Sequence, residues 1–262
     1  MRLAFHRFGE GDAINVVILH GLLGSKRNWF GFGKSLSDLG FNVWLVDQRN
    51  HGESEWNDKH TYFDLAEDIK KFFEAHGLKN SYLIGHSMGG KAAMVFDKVY
   101  QGHVSKLIVV DIAPITYPPI FENYLKVLSE LDLSGFKYRS EIDLKLSEYF
   151  EDKSFRSFLM QNLKLDDRKN FHWRVNLTSL LSNVTAISEF PFINSISNTN
   201  SLFLYGDLSE YGVAEHSDII KENFPISELV PVTKAGHWIH VEQPSKFLEI
   251  VSNFLKSDYS GR

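Results

Sequence analysis

The 262-residue sequence predicts an α/β fold: a mostly parallel sheet flanked by helices, with a helical segment inserted between two of its strands. Three observations lead there. Short apolar runs alternate with stretches of helical periodicity. Most of those runs are near-continuously apolar, as strands buried on both faces should be. One long segment, from about 115 to 193, breaks the alternation, with helical patterns and no clear strand.

The predicted strands are residues 15–19 (NVVIL), 42–46 (NVWLV), 81–84 (SYLI), 106–110 (KLIVV), 201–205 (SLFLY) and 227–232 (SELVPV). Residues 3–8 add an edge strand. Helices are predicted near 28–39, 62–76, 88–100, 213–223 and 244–256, and Pro244 suits a first helical turn. In the interrupting segment, 121–131 and 142–158 read as helices. A structureless loop of that length is rare in a compact domain. Residues 115–193 are therefore expected to form a helical cap, inserted into a core made of 1–114 and 194–262.

Composition bounds the function classes. With 43% hydrophobic residues the chain can bury one large core. The net charge is −5, with no long block of like charges, so neither nucleic acid nor an anionic membrane is an expected partner. The absence of cysteine excludes disulfides, thiolate metal sites and a cysteine nucleophile. The N-terminus lacks a signal-peptide pattern, and no apolar run approaches the length of a membrane span, so a cytoplasmic protein is expected. Phosphate-cradling glycine motifs are missing, and the histidines lack metal-ligand spacing. Neither a cofactor nor a metal is expected.

Gly85-His86-Ser87-Met88-Gly89 fits G-x-S-x-G between a predicted strand and a predicted helix. Composition alone produces the motif by chance in about one chain in ten of this length. Its placement gives it meaning. A tight strand-to-helix turn holds a nucleophilic serine in a strained conformation, with glycines on either side to admit neighbouring backbone. His20-Gly21-Leu22-Leu23-Gly24 follows another strand, where an oxyanion loop should lie. The backbone N–H groups of Leu22 and Met88 are its expected donors. His20 itself reads as structural.

His237, in Ala-Gly-His-Trp after the last predicted strand, sits at the carboxyl edge of the sheet, where a general base could reach Ser87. His86, His240, His216 and His51 are weaker candidates. The side chain of His86 should point away on the turn, and His240 reads as a surface or cap contact. Three carboxylates lie at strand ends between Ser87 and His237: Asp111, Asp207 and Glu210. Spacing alone leaves the orienting acid open among them. Asp47-Gln48-Arg49-Asn50-His51-Gly52 reads as a structural turn at the pocket floor.

With these residues assembled, the sequence resembles the α/β-hydrolase superfamily along its whole length, and within it the YbfF-type esterases. The matching stretches are HGLLGS (20–25), VDQRNHGES (46–54), GHSMGGK (85–91), VVDIAP (109–114), FHWRVNL (171–177) and AGHWIHVEQP (235–244). The resemblance implies an α/β-hydrolase fold with a helical cap, and an esterase acting on small-molecule esters or on thioesters such as acyl-CoA. There is one departure from the broader superfamily. The acid often sits three residues after the glycine that ends the strand at 201–205, and Ser209 occupies that place. The VVDIAP match, and its position as the first polar residue after LIVV, favour Asp111 as the acid, with Ser209 as an auxiliary hydrogen-bonding partner.

Three functions compete. The first is a serine carboxylic-ester hydrolase working through an acyl-serine. The second is a carbon–carbon hydrolase or lyase on the same scaffold. The third is a receptor that only binds a small molecule. Selectivity would then depend on cap side chains, with Trp173, Phe121 and Tyr124 as the expected pocket residues.

Overall fold

The computed structural model describes residues 1–257. Strands β1 (Phe5–Phe8), β2 (Asn15–Leu19), β3 (Asn42–Val46), β4 (Ser81–His86) and β5 (Val104–Val110) precede the insertion. They alternate with α1 (Phe30–Asp38), α2 (Tyr62–Ala75) and α3 (Met88–Val99). The insertion holds α4 (Glu122–Glu130), α5 (Arg139–Leu146), α6 (Lys153–Met160), β6 (Leu163–Leu165), β7 (Phe171–Trp173), α7 (Leu177–Ser182) and α8 (Val184–Ser188). The chain then returns to the sheet through β8 (Asn200–Gly206), α9 (Ser217–Asn223), β9 (Ser227–Val232), α10 (Ile239–Glu242) and α11 (Pro244–Lys256).

The main sheet has seven strands in the order β1-β3-β2-β4-β5-β8-β9, and only edge strand β1 runs antiparallel. The order reverses between β3 and β4, so β4 lies at the centre with its carboxyl end at a switch point, where ligands bind in open α/β sheets. Every residue of β3 is buried, which explains why it reads as a continuous apolar run. Two apolar layers clamp the sheet. One joins the inner faces of α2 and α3 to the insertion, and the other joins α1 to α11.

Local signals set the element ends. Thr61 caps α2 by accepting from the Asp64 N–H, and Asp64 returns a bond to the Thr61 N–H. Pro244 occupies the first turn of α11. Two sequence expectations differ in detail. The run 142–158 is not one helix but α5 and α6, because Asp152 turns back to accept from the Ser154 N–H and starts a new helix. The insertion also contains a small hairpin, β6–β7, whose three-residue strands are too short to show periodicity. Among the described residues no helix is long and apolar enough to cross a membrane.

The insertion seats on the loop after β3. Asn50, at φ 66°, accepts from the Asn176 N–H and donates its side-chain amide to Ser179 Oγ. Arg49 is buried and donates to Asp68, while Asp47 binds Lys26 at 2.6 Å. The Asp47–Gly52 turn therefore supports both the core and the insertion.

Candidate active site

Ser87 is held at φ 52° and ψ −118° between β4 and α3. Its N–H donates to Val110 O at 3.0 Å, and its carbonyl accepts the Lys91 N–H, so the strained residue is fixed from both sides. Two glycines make the turn possible. A Cβ on Gly85 would lie 2.2 Å from Gly89 O, and one on Gly89 would lie 2.5 Å from His20 O.

Asp111 follows β5, the strand beside β4, and is fully buried. One carboxylate oxygen accepts from the Gly206 N–H at 3.0 Å. The other accepts from Ser209 Oγ at 2.5 Å and from His237 Nδ1 at 2.7 Å. That last bond places the imidazole proton on Nδ1 and leaves Nε2 facing the cavity as a base. Among the described residues no hydrogen bond joins Ser87 Oγ to His237; bonds of this kind tighten when substrate arrives. The other two carboxylates lie elsewhere. Asp207 is exposed and accepts from the Ala235 N–H, bracing the loop after β9, and Glu210 is exposed.

The structure brings Leu22 and Met88 to the same cavity wall as Ser87 and His237. Neither N–H has a protein acceptor among the described residues, and Met88 opens α3, whose first N–H groups are free by helix geometry. The loop carrying Leu22 is tightly held. His20 Nδ1 donates to Gly21 O, and its Nε2 accepts the Gln48 N–H. His51 Nε2 accepts the Leu23 N–H. Both rings act here as acceptors, hence neutral, and burial pushes both pKa values down.

A cavity of about 770 Å³ opens over Ser87. Phe121 and Tyr124 line it. Trp173 does not, which corrects the sequence expectation. It lies on β7 paired with Leu163, and its ring packs on the apolar core of the insertion. The aromatic wall comes instead from Phe155 and Phe158 of α6, which pack on Trp238 with ring centroids 6.0 and 5.7 Å apart.

Two further site residues, Tyr211 and Lys91, were not singled out in the sequence, and two histidines lie elsewhere than expected from it. Tyr211 lines the cavity and stacks on His237 at 4.1 Å and 15°, and burial raises its pKa to about 12. Lys91, the last residue of GHSMGGK, lines the cavity with its pKa lowered to about 7 by burial, and donates to Ser188 O and Glu189 O at the end of α8. His86 does not point away from the site: its Nε2 donates to His237 O at 2.9 Å, and its ring lies 4.6 Å from that of His237. His240 is not a surface residue. It is buried, stacks on Trp29 at 4.0 Å, and burial holds its pKa at about 3. Spacing does not show where these side chains point: His86 and Lys91 belong to the motif itself, and Tyr211 and His240 reach the site only because the segments after β8 and β9 fold back across the sheet edge. Among the described residues no group of three or more His, Asp or Glu side chains is arranged to hold a metal ion.

The family model for the alpha/beta hydrolase fold matches residues 14–244. The chain is an α/β-hydrolase. This α/β-hydrolase is 32% identical to the sn-1-specific diacylglycerol lipase ABHD11 of Mus musculus, over 94% of its own length and 83% of the relative's. It is likewise 32% identical to the protein of that name from Danio rerio, over 95% and 80%. Among solved structures, a protein described as a marine microorganism esterase superposes with a TM-score of 0.93 at 37% identity, covering 96% of this chain and 98% of the other.

Proposed function

We propose that this α/β-hydrolase is a serine carboxylic-ester hydrolase that works through an acyl-serine intermediate on substrates with apolar acyl groups. The observation that carries the reading is the buried Asp111 carboxylate bonded to His237 Nδ1 at 2.7 Å, at the sheet edge where Ser87 stands on its strained turn. Ser87 Oγ attacks the ester carbonyl and its proton passes to His237 Nε2. Asp111 keeps the ring oriented and stabilises the imidazolium. The Leu22 and Met88 N–H groups take the negative charge that develops on the carbonyl oxygen. His237 then protonates the departing alcohol or thiol, activates a water, and that water releases the acid from Ser87.

Ser209 supports Asp111 by donating to the oxygen that faces His237. The aromatic wall of α6 favours hydrophobic acyl chains, with the insertion acting as a lid over the serine. The names of the relatives, a diacylglycerol lipase and an esterase, agree with ester substrates. Thioesters such as acyl-CoA fit the same chemistry, because only the leaving atom differs.

The decisive experiment is Ser87→Ala, assayed on p-nitrophenyl esters and on acyl-CoAs of increasing chain length. Loss of the nucleophile should lower the rate by on the order of a millionfold with the fold intact. Retention of a tenth of the wild-type rate in clean protein would sink the acyl-serine reading. The wild-type rates across the two series decide between oxygen and sulfur as the preferred leaving atom.

A further inference from the structure

The oxyanion loop is not held by the core alone. Leu23 sits at φ 60°, a left-handed conformation that a leucine adopts only when its surroundings impose it. Its N–H is fixed by His51 from the core. Its carbonyl accepts from Asn162 Nδ2 at 2.7 Å, a bond that reaches across 139 residues from the insertion. Asn162 is only 4% exposed, and its backbone is fixed on both sides: its N–H donates to Leu159 O and its carbonyl accepts the Arg174 N–H. One residue earlier, Gln161 Oε1 accepts from Asn28 Nδ2 at 2.8 Å, and Asn28 Oδ1 in turn accepts the Ser25 N–H. Among the described residues, Gln161 and Asn162 are the insertion side chains that hydrogen-bond the 20–28 loop.

Both residues immediately follow α6, the helix whose Phe155 and Phe158 line the cavity and pack on Trp238, the neighbour of His237. The segment 153–162 therefore touches the acyl pocket, Trp238 beside the base, and the peptide next to the oxyanion donor. We propose that Asn162 is a positioning residue: it ties α6 to Leu23 so that the Leu22 N–H is aimed at the oxyanion only when the insertion is seated. The inference rests on the acyl-serine reading and goes beyond it, since it makes assembly of the oxyanion hole depend on a residue outside the hydrolase core. Removal of the Asn162 amide frees the Leu23 carbonyl and lets the strained peptide relax. The Leu22 N–H then swings away from the position at which transition-state charge develops. Ground-state binding in the aromatic pocket is untouched, so the loss should appear in kcat.

The test is Asn162→Ala, with kcat and KM on p-nitrophenyl butyrate and the inhibition constant of a matched trifluoromethyl ketone, whose serine adduct puts its oxygen in the same hole. We expect kcat to fall at least fivefold, KM to stay within twofold, and the inhibitor to weaken by the same factor as kcat. A smaller fall in kcat, or a fall with unchanged inhibition, overturns the proposal, because a merely structural contact would not move the two together. If Asn162→Ala fails to fold, Gln161→Ala, whose side chain is exposed, carries the test in weaker form. There kcat and the inhibition constant should shift together by at least twofold, and no shift overturns it. Ser87→Ala in the same assay separates the two readings. An active Ser87→Ala sinks the acyl-serine mechanism, whereas an inactive one beside an unaltered Asn162→Ala sinks only the tie to α6.

Discussion

Asp111 holds φ 54°, a conformation that costs a non-glycine residue on the order of 1 kcal/mol. The strain aims its carboxylate sideways along the sheet edge, where three donors meet it: the Gly206 N–H, Ser209 and His237. Asp207 and Glu210 stand closer to the position usual for the acid in sequence, yet both side chains are exposed. Asp111→Asn should therefore lower kcat by about 10⁴, since the amide stabilises the wrong imidazole tautomer and carries no charge for the imidazolium. Asp207→Asn should stay within about tenfold, and Ser209→Ala should lose about tenfold, near the ~1 kcal/mol of one neutral hydrogen bond. A steady-state comparison of the three variants checks the ranking, and its reversal would move the orienting role to Asp207. At this scale the sequence was most informative where chemistry and backbone coincide. Ser87 is legible because its motif must follow a strand. Asp111 could be chosen only with help from the resemblance, because spacing does not reveal that β5 lies beside β4. Tyr211 was invisible, because its stacking on His237 depends on the loop after β8 folding back.

The parallel strands and flanking helices were legible as elements because each is long enough to show its period and each is buried in the way its period demands. The insertion was legible only as helical, and its detail was not. The break at 147–152 depends on one capping aspartate, and the β6–β7 hairpin is three residues deep. That blurring misplaced the pocket wall, because Trp173 is the conspicuous aromatic in sequence while α6 does the lining. Phe155 and Phe158 lie one turn apart on α6, so both face the cavity and Trp238. Phe158→Ala should shift the preferred acyl length upward, as the cavity gains the volume of a ring. Its kcat/KM for the shortest ester should fall by about tenfold, in line with roughly 1–2 kcal/mol of lost apolar contact. Trp173→Ala should leave the chain-length profile in place while lowering the melting temperature. An acyl series run on both variants decides it: a shift in profile for Trp173→Ala but not for Phe158→Ala would reassign the wall.

Across the whole molecule, five buried histidines surround the site on the core side: His20, His51, His60, His86 and His240. Burial lowers the pKa of each, and for His60 and His240 to about 3. Two of them also accept a backbone N–H, which needs the neutral ring: His20 from Gln48, and His51 from Leu23 in the loop that carries Leu22. Below the ordinary imidazole pKa of about 6.5, the unfolded chain takes up protons that the folded chain refuses. More protons are then bound in the unfolded state, so stability rises with pH across the window from about 3 to about 6.5 and is lost as the solution is acidified through it. Lys91 acts in the same sense at higher pH. Its folded pKa of about 7 lies below its unfolded value of 10.5, so it adds stability as pH rises between the two. Each histidine contributes a slope on the order of 1 kcal/mol per pH unit while it alone distinguishes the two states. His240 offers the cleanest test, because it stacks on Trp29 and its Nδ1 has no hydrogen-bond partner. His240→Phe keeps an aromatic ring on Trp29 and removes the proton site. Urea unfolding at pH 6, 5 and 4 should give a slope shallower than wild type by that amount, with the two proteins converging in stability near pH 7. Equal slopes would mean that the His240 ring is already protonated in the folded protein, and that its contact with Trp29 holds a cation.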